Sequence, residues 1–180
     1  MQQGEVIRFF DRCAPKWDAW QLRDQEKLDA ILDAAGIAPG VSVLDVGCGT
    51  GFLFPDYLAR NAAVTGVDLS PEMARRAEAR GRGRVPVLCG DAASLDYGRT
   101  FQRIVVFNAL PHFEDPAALA AHLARFLAPE GRLTIAHDMG REALNAHHAG
   151  TADSVSRPLP PAGELAALLA ACLLYTSRCV

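Results

Sequence analysis

The sequence predicts an α/β fold: a three-layer arrangement in which a mostly parallel sheet carries helices on both faces. Three observations lead there. Five short apolar runs follow one another between residues 41 and 138, with three helical stretches between them. The helical stretches carry apolar stripes of period 3.6. With 180 residues, half of them apolar and 22% charged, the chain is large enough for one domain with a sizeable core.

The elements follow in order. Residues 5–13 and 16–35 read as two helices, the second with the stripe Leu28, Ile31, Leu32 and Ala35, and Gly36 placed to end it. Strands are expected at 41–46, 63–67, 85–89, 103–107 and 132–137, with helices at 53–60, 71–80 and 116–127 between them. Ser70-Pro71-Glu72 is a strong helix start. Leu119, Leu123, Phe126 and Leu127 give the next helix one apolar face. Residues 151–161, rich in Ser and Pro, read as a loop, and a further helix begins at 161–171. Such alternation requires right-handed crossovers. It places a ligand at the carboxyl ends of the first and fourth strands, where the strand order reverses.

The first strand runs into Val43-Leu44-Asp45-Val46-Gly47-Cys48-Gly49-Thr50-Gly51-Phe52. Glycines at alternate positions let a ligand reach bare backbone and tolerate positive φ. The second strand, Val64-Thr65-Gly66-Val67, ends in Asp68. An acid at that tip, about 20 residues past a glycine loop, is placed to grip a ribose diol. Strand, loop and acid together point to a nucleoside cofactor. The spacing is G-x-G-x-G, not the G-x-G-x-x-G of dinucleotide sites. Asp45, two residues before the first glycine, would repel a pyrophosphate and suits a ligand with a positive end, an amino group or a sulfonium. Each signal has a plainer counterpart. The glycines could be tight turns, Asp68 could cap the next helix, although Ser70 is the better cap, and Asp91 could be an ordinary loop acid.

Taken together, these stretches resemble the class I S-adenosylmethionine-dependent methyltransferases, in their broad small-molecule group, with a Rossmann-like fold. "VLDVGCGTGFL" resembles the first family motif, "VTGVDLSPEM" the second and "VLCGDAASL" the third. "FQRIVVFNALPHF" resembles the fourth strand with its loop, and "LAPEGRLTIAH" the turn into the fifth. The matches come in family order. The resemblance implies S-adenosyl-L-methionine as cofactor and methyl transfer to a small molecule. It implies Gly47, Gly49 and Gly51, with Cys48 among them, around the methionine part, and Asp45 near its ammonium group. Asp68 would accept from both ribose hydroxyls while Leu69 packs on the adenine. Asp91, beside Ala92, would accept from the adenine amino group, and Asn108 would stand where cofactor meets substrate. "FFDRCAPKWDAW" resembles the lid of small-molecule members and brings Trp17 to the acceptor side with His112 and Phe113. His112 is the candidate to take a proton from an acceptor hydroxyl or amine; its plainer role is packing in its loop. Where the enzymes that methylate amino groups of nucleic acids and proteins have Asp/Asn-Pro-Pro-aromatic, this chain reads Asn108-Ala109-Leu110-Pro111. The metal-binding acids of catechol-type enzymes are not recognisable, so a metal is not expected.

Other classes stay open: a propylamine transferase or nicotinamide oxidoreductase of the same fold, or a non-catalytic, truncated cofactor-binding product. The net charge of −3 gives no reason to expect nucleic acid or an anionic membrane as partner. Arg75, Arg76, Arg80, Arg82 and Arg84, interleaved with Glu72 and Glu78, read as a solvated face. No apolar run reaches 18 residues, the first residues do not form a signal peptide, and five scattered cysteines fit a cytoplasmic location. His137, His147 and His148 could meet in space near Asp138, but lack metal-ligand spacing. The oligomeric state is left open.

The final residues, 172–180, resemble a translated transposon mosaic end of the kind used in sequencing libraries, joined to its reverse complement. The expectation is therefore a domain over 1–171, with a helical lid at 1–38, a cofactor core at 41–138 and a non-native tail. The last two strands of the family fold would be absent, leaving the fifth strand at the sheet edge and the segment after it without its anchor.

Overall fold

Leu44, Val46, Ile104 and Val106 pack into one apolar cluster, while their neighbours Val43 and Val105 pack into another. Alternate residues of a strand face opposite ways, so strands apolar on both faces belong in the middle of a covered sheet. The computed structural model, which describes residues 2–172, shows this. β1 (Ser42–Val46) lies between β2 (Ala63–Asp68) and β4 (Phe101–Phe107). β3 (Val87–Cys89) extends the sheet beyond β2, and β5 (Leu127–Ala136) extends it beyond β4. All four pairings are parallel and the order is 3-2-1-4-5. Val46 is in register with Val67 and Val106. The carboxyl ends of the three central strands therefore finish level, directly below Gly47, Asp68 and Asn108.

Helices cover both faces. α3 (Gln25–Ala35), α4 (Phe54–Ala59) and α5 (Pro71–Gly81) supply Leu28, Leu32, Phe54, Tyr57 and Ala77 to the cluster around Val43. α6 (Pro116–Ala124) and α7 (Arg141–Thr151) supply Leu119, Leu123 and Leu144 to the other, and α8 (Ala162–Cys172) packs Leu165 and Leu169 against it. The terminating signals act as read: Ser70 accepts from the Met73 N–H at 3.1 Å, and Gly36 ends α3 at φ +73.

Three stretches depart from the sequence reading. Residues 16–35 are not one helix. After α1 (Gln3–Cys13) come a 3-10 turn at Ala14–Lys16, a single turn α2 (Trp17–Trp20) and an extended link at 21–24. The buried stripe begins only at Leu28, so the residues before it have no apolar face to dock; Leu22 is 91% exposed. Asp24 then starts α3 by accepting the Lys27 N–H at 3.1 Å. β5 starts at Leu127 instead of 132, because Phe101 pairs with Leu127 before an irregularity at Glu130 (φ +59) resets the register to Arg103–Arg132. The segment after β5 is anchored, against expectation. It forms α7 and a 3-10 turn at Asp153–Val155, the Arg157 N–H donates to the Pro111 carbonyl at 2.8 Å, and Val155 packs with Val6 of α1. Among the described residues β5 is an edge strand, and no helix is long and apolar enough to cross a membrane. The presumed foreign tail lies outside the described residues, except for Cys172 at the end of α8.

Gly66, in the middle of β2, has no room for a side chain. A Cβ there would sit 2.7 Å from the Phe54 ring and 3.0 Å from the Cys48 sulfur. Gly66→Ala is expected to destabilise the fold by about 1–3 kcal/mol through overpacking. Urea denaturation measures this; an unchanged midpoint would show that the Phe54 contact yields freely.

Candidate functional site

The loop after β1 is shaped by what stands next to it. At Gly47, φ is +67 and a Cβ would come within 2.6 Å of the Ala109 Cβ. Only glycine lets the β1 and β4 loops approach that closely. The loop is then fixed by Asp68 at the tip of β2. One carboxylate oxygen accepts the Gly49 N–H at 2.8 Å and the other the Ser70 N–H at 2.9 Å. The N-terminal segment closes over these loops through two further acids. Asp11 accepts from the Ser70 hydroxyl at 2.5 Å and the Glu72 N–H at 3.1 Å. Asp18 accepts from the Thr50 hydroxyl at 2.5 Å and pairs with Arg80. Arg80 therefore belongs to the closure of the lid, whereas Arg75 and Arg76 pair with Glu72 on the surface.

Together these elements enclose a cleft of about 370 Å³, within the range of small-molecule sites. Its lining includes Trp17, Asp45, Gly47, Cys48, Gly49, Asp68, Leu69, Asp91, Ala92, Asn108, His112 and Phe113. Gly51, expected with them, is not there. A Cβ at this position would meet the Phe54 ring at 2.6 Å; this glycine closes the turn against the core. Asn108, at φ +53, is partly committed, since its Oδ1 accepts the Asp138 N–H at 3.0 Å and holds the end of β5. Asp91 uses its Oδ1 to accept the Ala93 N–H at 2.9 Å, which orders the loop after β3. The sequence reading missed Gln21, Phe52, Met73 and Phe107, which also line the cleft. Gln21 was hidden by the expectation of an unbroken helix.

The electrostatics are one-sided. Asp45 is 2% exposed, and burial, reinforced by the Asp68 charge, pushes its pKa up to about 7. The Tyr57 phenol faces it and acts weakly in the opposite sense, but its hydroxyl lacks the geometry of a full hydrogen bond. Burial raises Asp68 to about 6, against the opposing effect of the amides it binds. Among the described residues no lysine or arginine lines the cleft. One buried and one half-buried carboxylate thus face the cleft without a cationic side chain, and the donor set fits a ligand that brings its own positive charge. The Cys48 thiol is held well above its usual range by burial and these same carboxylates, so it is a neutral wall group and no nucleophile.

On the opposite wall, His112 Nδ1 lies 2.8 Å from the Val155 carbonyl oxygen. A carbonyl only accepts, so Nδ1 carries the proton and Nε2 keeps its lone pair. Burial lowers the pKa to about 4 despite that bond, with His148 and His137 acting in the same direction. Phe10 meets the ring edge-on at 4.8 Å, and His148 lies 5.1 Å away. Both ring nitrogens of His137 are buried without a partner, and its pKa is also lowered to about 4 by burial. Among the described residues no group of three or more His, Cys, Asp or Glu is placed to hold a metal ion.

Comparison with known proteins agrees with this geometry. A family described as "Methyltransferase domain" matches residues 43–131. The ubiquinone biosynthesis O-methyltransferase of Xanthomonas oryzae pv. oryzae is 33% identical over 170 residues, covering 88% of this chain and 70% of that protein. The chain belongs to the class I S-adenosylmethionine-dependent methyltransferases. Nocamycin O-methyltransferase of Saccharothrix syringae is 35% identical over 133 residues, 69% of this chain. This methyltransferase chain spans about half the length of that relative (48%) and 58% of a demethylmenaquinone methyltransferase from Renibacterium salmoninarum. Among solved structures, a methyltransferase from Geobacter sulfurreducens in complex with S-adenosyl-L-homocysteine is 25% identical, with a TM-score of 0.59 over 69% of this chain and 53% of that one.

A buried acid with a raised pKa makes stability fall as pH rises. Between about pH 4 and 7 the folded state holds a proton on Asp45 that the unfolded state has released. Asp45→Asn is therefore expected to stabilise the ligand-free protein at pH 8, by roughly 1–4 kcal/mol, and to change little at pH 4.5. Urea unfolding at both pH values tests this. A variant no more stable than the parent at pH 8 would mean that Asp45 is solvated or already paired.

Proposed function

We propose that the protein binds S-adenosyl-L-methionine in this cleft and catalyses methyl transfer to a small molecule. The observation that carries this reading is the buried Asp45 carboxylate with the half-buried Asp68 carboxylate near it, in a cleft without lysine or arginine among the described residues. Such a site repels a pyrophosphate and favours a nucleoside with a cationic end. When bound, the cofactor supplies a methyl group already activated on a sulfonium.

The chain's residues then bind, orient and shield. Asp45 takes the ammonium group. Asp68 offers its remaining lone pairs to the ribose hydroxyls without releasing Gly49 and Ser70. Asp91 accepts from the adenine amino group, with Leu69 and Ala92 against the ring, and Gly47, Cys48 and Gly49 border the methionine part beside Asn108. Trp17, Phe113 and His112 face the acceptor and exclude water. Alignment supplies most of the rate in such a displacement. His112 presents an unprotonated Nε2 at neutral pH, and its low basicity favours acceptors whose own hydroxyl is acidic, phenols and enols above amines. A cytoplasmic location belongs to this reading, supported by the free thiols Cys13, Cys48 and Cys89. A net charge of −3 supports a small acceptor over nucleic acid.

Cofactor affinity should depend on pH in one direction. Cation binding requires ionised carboxylates, so below about pH 7 it must first displace a proton from Asp45. The affinity for S-adenosylhomocysteine is expected to be about tenfold or more weaker at pH 5.5 than at pH 8, read by titration calorimetry. A flat profile would remove the ionised acid from recognition.

His112→Ala is expected to lower kcat by roughly a hundredfold with little change in cofactor affinity. The assay is methyl transfer from labelled cofactor to a metabolite extract. Undiminished turnover would leave His112 as loop packing, and label found only on protein or nucleic acid would overturn the acceptor class.

A further inference from the structure

Gln21 is the first residue of the extended link that joins α2 to α3, with φ −86 and ψ 121. Both sides of it are pinned to the cofactor loops. On one side Asp18 holds the Thr50 hydroxyl at 2.5 Å and pairs with Arg80. On the other, Arg23 donates to the Phe52 carbonyl at 3.1 Å and pairs with the buried Asp56. The residue between these anchors lines the cleft together with Asp45, Gly47 and Phe52. Its Oε1 is buried and has no hydrogen-bond partner. A buried carboxamide oxygen left unpaired costs about 1–3 kcal/mol, a cost that a ligand N–H donor in the cleft would remove.

We propose that Gln21 holds the amino-acid head of the bound nucleoside cofactor, pairing with its carboxylate and ammonium beside Asp45. This rests on the cofactor reading above. The zwitterionic head carries three N–H donors and a carboxylate. Asp45 complements only the positive half. The negative half needs donors, and no lysine or arginine lines the cleft among the described residues. Of the other two carboxamides of the cleft, Asn108 already spends its Oδ1 on Asp138, and Gln3 lies in the first turn of α1, outside the segment that Asp18 and Arg23 pin to the cofactor loops. A carboxamide offers one acceptor and two donors from a single plane. Gln21 can therefore serve both charges of the head, its NH₂ toward the carboxylate and its Oε1 toward the ammonium. The side chain would fix the methionine arm of the cofactor and leave the adenosine part to Asp68 and Asp91.

The test compares two ligands that differ only in that head. Titration calorimetry of the parent, Gln21→Leu and Gln21→Met is run with S-adenosylhomocysteine and with 5′-methylthioadenosine, a nucleoside thioether without the amino-acid head. Both variants are expected to bind S-adenosylhomocysteine about tenfold more weakly, the loss of one or two hydrogen bonds, and to bind methylthioadenosine within about twofold of the parent. Their thermal midpoints should equal or exceed the parent's, since an unpaired buried oxygen has been removed. Unchanged S-adenosylhomocysteine affinity, or an equal loss for both ligands, would overturn the role of Gln21 alone. A parent that binds neither ligand would overturn the cofactor reading and this assignment with it.

Discussion

The tip of β2 carries a half-buried carboxylate bonded to two backbone amides. Asp68 holds the Gly49 N–H on one oxygen and the Ser70 N–H on the other. Ser70 in turn caps α5 through Met73 and donates its hydroxyl to Asp11 of α1. A chain of short polar contacts thus runs from the N-terminal segment, through the start of α5, to the glycine loop. The sheet brings these pieces to the same level because β1, β2 and β4 end in register. The carboxylate pays for this by desolvation, seen in its raised pKa. Local destabilisation of this kind collects at functional sites and is compensated by packing elsewhere, here by the two apolar clusters on either face of the sheet.

The lid is held differently from the core. α1, α2 and the turn between them bury only Val6 and Ala14 fully. Asp11 and Asp18 attach them through polar contacts, and Arg23 fastens the link that follows. Elements with few buried apolar contacts open at lower free energy than the strands beneath them. The same segment supplies Phe10 against His112, and Val6 packs with the segment after β5. The covering of the acceptor side therefore depends on three distant parts of the chain meeting over one loop.

That division explains what the sequence made legible. Glycines at 47 and 49, and acids at 45 and 68, could be read because each is a local requirement, bare backbone or a charge at a strand end, whereas Asp91 was reached only through the family resemblance. The strand–helix alternation was equally local. The break at 21–24 was harder, because it follows from a missing apolar face and an Asp24 cap inside an otherwise helical composition. Gly51 was assigned to the cleft through the family resemblance, although a Cβ there would meet the Phe54 ring. The His112 tautomer was beyond reach of pattern, since its partner is a carbonyl 43 residues away. The same holds for the anchoring of the segment after β5, which comes from Arg157 and Val155 meeting Pro111 and Val6.

The central claim is that the β1 loop, the tip of β2 and the loop after β3 form one nucleoside cofactor site. Amide hydrogen exchange of the protein with and without saturating S-adenosylhomocysteine addresses it directly. The account predicts slowed exchange in three separate stretches, 47–50, 68–70 and 90–93, with a further effect at 17–21 as the lid closes. Exchange unchanged in those stretches at saturation, or protection confined to another face of the sheet, would contradict it.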